Sequence, residues 1–127
     1  MPGQIQFEID HQARTLSIAI IGEVSGRQAL REIPKIWEHH PETRGYHCVV
    51  DLMRDEGALP WGAVREISEK WRAFAEMKDA GARTALVVRD KFWEKLADVV
   101  APLFPARTFA VFRNMDDARA WLLKPGC

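Results

Sequence analysis

The sequence predicts a single α/β domain: an N-terminal β-hairpin, then βαβαβα, forming a mixed five-stranded sheet with four helices. Three observations carry that prediction. Residues Ile5 to Asp10 alternate strictly, with Ile5, Phe7 and Ile9 on one side and Gln6, Glu8 and Asp10 on the other, which is the period of a half-exposed strand. Tyr46 to Met53, Ala82 to Val88 and Thr108 to Phe112 are nearly continuous apolar runs, the pattern of central strands covered on both faces. Stretches with apolar residues three or four apart separate those runs, so strand and helix alternate along the chain.

Taken in order, the strand at Ile5 to Asp10 is expected at an edge. His11 to Arg14 turns the chain into Thr15 to Ile21, whose β-branched content and close return favour an antiparallel hairpin ended by Gly22. Ser25 and Gln28 have the spacing of a capping box, and Ala29, Leu30, Ile33, Ile36 and Trp37 follow at helical intervals. Pro34 removes a backbone donor inside that helix and crowds the carbonyl of Leu30, so a kink or a break into two short turns is expected. The next helix carries Trp61, Val64, Ile67, Trp71 and Phe74. Asp90 is expected to cap a third, in which Phe92, Leu96, Val99 and Leu103 form one stripe and Trp93, Ala97, Val100 and Phe104 another, a helix that must be buried on two sides. Asn114 caps the last, where Asp116 and Asp117 suit the positive helix terminus and Ala118, Trp121 and Leu122 face inward. If each crossover steps the same way, the helices gather on one face of the sheet. The other face is then covered by outlying helices or by a second copy, so a homodimer is expected.

Length and composition narrow the function. A chain of 127 residues that is 47% hydrophobic is enough for one packed core. Its 18 basic and 18 acidic side chains cancel, removing the whole-molecule field that draws nucleic acid or anionic membrane, so no nucleic-acid partner is expected. No apolar segment approaches the roughly 20 residues that span a bilayer, and the N-terminus lacks the basic and apolar regions of an export signal. Cys48 and Cys127 make neither a disulfide framework nor a zinc site, which points to a reducing, cytoplasmic setting. No glycine pattern matches a nucleotide fingerprint, and no cofactor or metal is implied.

The hairpin followed by three strand and helix repeats, the final strand Arg107-Thr-Phe-Ala-Val-Phe112 and the closing Asp-Asp-Ala-Arg-Ala-Trp-Leu122 together resemble the SpoIIAA-like branch of the STAS superfamily, named for sulfate transporters and anti-sigma-factor antagonists. The resemblance spans nearly the whole chain. It implies a small cytoplasmic module that works by binding. It also implies a phosphorylatable serine after the strand matching Tyr46 to Leu52, where this chain reads Asp51-Leu-Met-Arg-Asp-Glu-Gly-Ala-Leu-Pro-Trp61 without Ser, Thr or Tyr. A phosphate switch has no acceptor there. The superfamily shape is also likened to CRAL-TRIO lipid-transfer domains, which bind apolar ligands.

Ligands of open α/β sheets bind beyond the C-terminal ends of the strands. Arg54, Arg89 and Arg113 each follow a parallel strand and precede a helix, so they could hold a carboxylate or phosphate, or pair with Asp55, Asp90 and Asp116 in solvent. Asp55, Glu56 and Trp61 could supply a charged edge with an aromatic anchor, or Pro60 and Trp61 only start a helix and staple it to the core. Trp37, Trp71, Trp93 and Trp121 sit on helical stripes and are expected in the core. His11, His39, His40 and His47 lack ligand spacing and are expected as cap or turn residues. Asp51, in a buried strand, must be hydrogen-bonded or paired, and Cys48 is expected as a small buried filler. Two functions lead, ahead of an enzyme using Asp51 or Asp55. The first is a non-enzymatic binding module for a protein partner or itself through the edge from Arg54 to Trp61. The alternative is a carrier or sensor of an apolar or amphipathic ligand held near Trp61, Phe92 and Trp93, with its acid group at Arg89.

Overall fold

The computed structural model describes residues 3–56, 61–76, 78–89 and 95–124, apart from the side chains of Trp61 and Leu96. The expected cap at Asp90, the aromatic pair Phe92 and Trp93, and the Ala58 to Pro60 stretch lie outside the described residues.

Strand β1, Gln4–Asp10, pairs antiparallel with β2, Thr15–Ile21, in register from Gln4 opposite Ile21 to Asp10 opposite Thr15. In the turn, the Asp10 carboxylate accepts from the Ala13 amide at 3.0 Å, and Arg14 takes a left-handed φ of 51°. Gly22 then ends β2 with φ 73°, a conformation that costs glycine little.

Helix α1 is Gly26–His39. The Ser25 hydroxyl accepts from the Gln28 amide at 3.0 Å, but the Gln28 side chain donates to the Gly3 carbonyl instead of closing the capping box. Of the kink or break expected at Pro34, the break does not occur, because the helix runs unbroken through it. Pro34 is itself buried, as are Ile33, Ile36 and Trp37, and packing on both sides of the proline outweighs a lost donor that costs about 3 kcal/mol in an unsupported helix.

A 3-10 turn, Pro41–Gly45, leads into β3, His47–Asp51. Helix α2 is Trp61–Ala75, β4 is Arg83–Val87, α3 is Leu96–Val100 with a 3-10 turn Ala101–Leu103, β5 is Thr108–Phe112 and α4 is Met115–Leu122. The Asn114 side chain caps α4 by accepting from the Asp117 amide at 2.8 Å.

The strands lie in chain order, β1-β2-β3-β4-β5, with every pair after the hairpin parallel. Each crossover therefore steps the same way, and α1, α2 and α3 gather on one face. There Leu16, Ile18 and Ile20 of β2 are buried under Ile33, Trp37, Ile67 and Trp71, each aliphatic side chain contributing about 1.5–3 kcal/mol relative to exposure. On the other face α4 buries Ala118 and Leu122 against Val49, Ala85 and Val87. Beyond α4, the β1 part of that face presents Gln4, Gln6, Glu8 and Asp10, all exposed. Water covers such side chains on β1.

Helix α3 differs from expectation. Ala97 and Val100 are only half-buried and Val99 is 51% exposed. Its described residues are not enclosed on two sides, because one of those sides is open space.

Candidate ligand cavity

The central strand betrays that space. Val49 points at α4 and is fully buried, whereas its neighbours Cys48 and Val50, pointing at the three helices, are only half-buried. A central strand filled on both faces would show no such difference. Between sheet and helices lies a cavity of about 730 Å³, inside the range of roughly 300–1,000 Å³ typical of small-molecule sites.

Its floor is a row of apolar side chains set by strand register: Ile18 opposite Val50, and Val50 opposite Leu86. The roof comes from Ile33 and Trp37 of α1, Val64, Ile67 and Trp71 of α2, and Val99 and Val100 of α3, with Phe104 beyond. Trp37 and Trp71 meet edge to face at 4.8 Å, which fixes the angle of the roof. They belong to the core, as expected, and also to the cavity wall.

One end of the cavity is polar and buried. Arg107, 9% exposed, donates through Nε to Asp79 at 3.1 Å, through Nη1 to the Thr84 hydroxyl at 3.2 Å and through Nη2 to the Tyr46 carbonyl at 2.9 Å. Its guanidinium lies 4.8 Å from the Trp71 ring centre, and the Trp71 indole donates to the same Asp79 oxygen at 2.7 Å. The pair is thus both hydrogen-bonded and stacked, the conditions under which a buried ion pair is tolerated. Reading the sequence missed this cluster. The available signals were a charged residue leading directly into an apolar strand and a threonine inside the apolar run at Ala82 to Val88.

His47 stands beside this end. Its Nδ1 accepts from the Arg83 amide at 3.0 Å, and its pKa is lowered by burial first, then by the charges of Arg83, Arg107 and Arg14. Cys48 shows its free surface to the cavity, and burial pushes its thiol up to about 11. A thiol so held is not a nucleophile at neutral pH. Asp51 is satisfied locally, accepting from the Met53 amide at 2.9 Å. His11 bonds the Tyr46 hydroxyl at 2.8 Å, His39 ends α1, and His40 caps it and lies 3.4 Å from Glu42. Among the described residues no group of three His, Cys, Asp or Glu side chains is placed to hold a metal.

The other end opens among charges at the C-terminal edge of the sheet. Asp55, Glu56, Arg89 and Lys95 line it beside Val99. Backbone bonds lace this edge together: Gly22 donates to Arg54 at 2.9 Å, Glu56 to Gly22 at 3.0 Å, and Val88 to Phe112 at 2.9 Å. Arg113 reaches back to the Arg89 carbonyl at 3.2 Å. Asp55, Glu56 and Arg89 therefore sit on the cavity wall, while Arg54 and Arg113 stand on the same edge outside it. Arg54, Glu56, Arg89 and Arg113 are exposed. Trp61 opens α2, its side chain falling outside the described set together with Phe92 and Trp93.

Two comparisons place this architecture among known proteins. The sequence profile of the family described as SpoIIAA-like matches residues 15–123. The fold is similar to that of an uncharacterized protein from the DUF3478 family with a SpoIIAA-like fold from Shewanella loihica PV-4, with a TM-score of 0.67, 18% identity, and 95% of this chain and 94% of that chain covered. No curated protein matches.

Proposed function

This chain belongs to the SpoIIAA-like family, and from that premise we propose a non-enzymatic module that holds an apolar or amphipathic small molecule between its sheet and helices α1 to α3. The observation that carries this reading is the cavity of about 730 Å³ walled by Ile18, Val50, Leu86, Ile67 and Val99. Apolar surface left facing open space is costly unless something covers it, because each buried methylene is worth about 0.8 kcal/mol. An acidic group on the ligand would lie at the open end, near Arg89. Chemistry is disfavoured: the cavity's thiol is held protonated, and Asp79, the carboxylate at the deep end among the described residues, is committed to Arg107 and Trp71.

The cavity puts the carrier reading ahead of the partner reading that the sequence favoured. Partner binding or self-association stays as the second, supported by exposed Arg54, Glu56, Arg89 and Arg113 on one edge. Charge reversal at Arg54 and Glu56 that disrupts a native complex while leaving ligand uptake intact would favour it.

The direct test is uptake of Nile red, an uncharged apolar dye. Wild-type protein should bind it saturably with a blue-shifted emission. Val50→Phe, which fills the middle of the cavity, should weaken uptake at least about tenfold, the equivalent of 1.4 kcal/mol, while keeping or raising the melting temperature. Equal uptake by both proteins would overturn the proposal.

A further inference from the structure

We propose that the buried end of the cavity recognises a neutral hydrogen-bond acceptor, the oxygen of an alcohol, ether, ester or ketone, so that a ligand enters with that group toward Thr84 and Arg107 and its apolar chain toward Val99. The inference rests on the cavity-binding reading above and adds the ligand's chemistry and its direction.

Two donor-bearing side chains, Arg107 and Thr84, line this end. Among the described residues, Arg107 uses three N–H groups on Asp79, Thr84 and the Tyr46 carbonyl, and a guanidinium carries five. Thr84 accepts from Arg107, which leaves its own hydroxyl hydrogen to give. Both residues line the cavity and are buried. A ligand acceptor that meets these remaining hydrogens adds a hydrogen bond that a purely apolar ligand cannot make.

Charge decides between a neutral and an anionic acceptor. Asp79 already neutralises Arg107, with side chains only 5% exposed on both partners. A ligand carboxylate beside them would be a second negative charge for one positive charge, in a space walled by Trp71, Cys48 and Phe109. The other arginines whose field reaches His47 do not offer their guanidinium groups here. Arg83 donates to the Trp121 and Lys124 carbonyls, and Arg14 is exposed over the Tyr46 ring. The acid end of an amphipathic ligand therefore stays at Arg89 and Lys95, where water screens it.

Displacement of Nile red by decane, decanol and decanoate, with wild type, Thr84→Val and Thr84→Ser, tests this. Decanol should bind wild type roughly tenfold tighter than decane, the worth of one good hydrogen bond. Thr84→Val should erase that preference and Thr84→Ser should keep it, and decanoate should not respond to either change. Equal affinity for decane and decanol on wild type would overturn the inference without touching cavity binding, and it needs no variant to fold. Decanoate binding tightest and losing affinity in Thr84→Val would overturn it in favour of an inner acid site. Failure of all three to displace the dye would remove the cavity-binding proposal as well.

Discussion

Arg107 and Asp79 are individually liabilities, since either charge alone in the core would be uncompensated. Together with Trp71, Thr84 and the Tyr46 carbonyl they form a hydrogen-bonded network that neutralises both charges. Arg107→Met should lower stability by about 3–5 kcal/mol because it strands Asp79. Arg107→Met with Asp79→Asn should recover part of that loss in chemical denaturation. Equal losses in the single and double variants would mean the pair is not coupled. His47 sets a pH dependence of definite sign. Burial and its arginine neighbours lower its pKa in the folded state, whereas the unfolded chain takes up a proton near 6.5. The unfolded state thus binds more protons as pH falls below that value, so stability present above it is lost on acidification until the folded pKa is passed. Comparing melting temperatures from about pH 7 to pH 5 should show a shallower decline for His47→Gln than for wild type; parallel curves would contradict the assignment.

At the scale of elements, strands and caps are dictated locally. Asn114→Ala should cost about 1 kcal/mol, because the Asp117 amide loses its acceptor at the start of α4; an unchanged denaturation midpoint would count against that cap. The same locality explains what could be read from the residues. Thr15 to Ile21 and Thr108 to Phe112 run from end to end as their β-branched and aromatic patterns imply, and Asn114 caps where the turn chemistry puts it. Pro34 misled as to a break, since local propensity allows one while the buried residues on either side hold one helix together. Helix α3 misled in a more useful way. Two apolar stripes on one short helix imply two buried sides, but periodicity cannot distinguish a stripe that meets side chains from one that meets a cavity.

For the whole molecule, strand order puts three crossovers on one face and α4 on the other, and the cavity lies on the face of the three crossovers. The C-terminal edge carrying Arg54, Arg89 and Arg113 was legible because it follows from strand direction alone. The cavity was not, since it is a volume left over when α1, α2 and α3 are spread above β2 to β5, and Arg107, Thr84 and Val50 are brought together only by lining it. No helix among the described residues is long and apolar enough to cross a membrane. Native mass spectrometry of the full chain purified from its own host without detergent tests the central claim most directly. A cavity that holds a ligand predicts a second mass above the bare chain, heavier by one small organic molecule and lost on collisional activation. The bare mass alone, in every charge state, would contradict it.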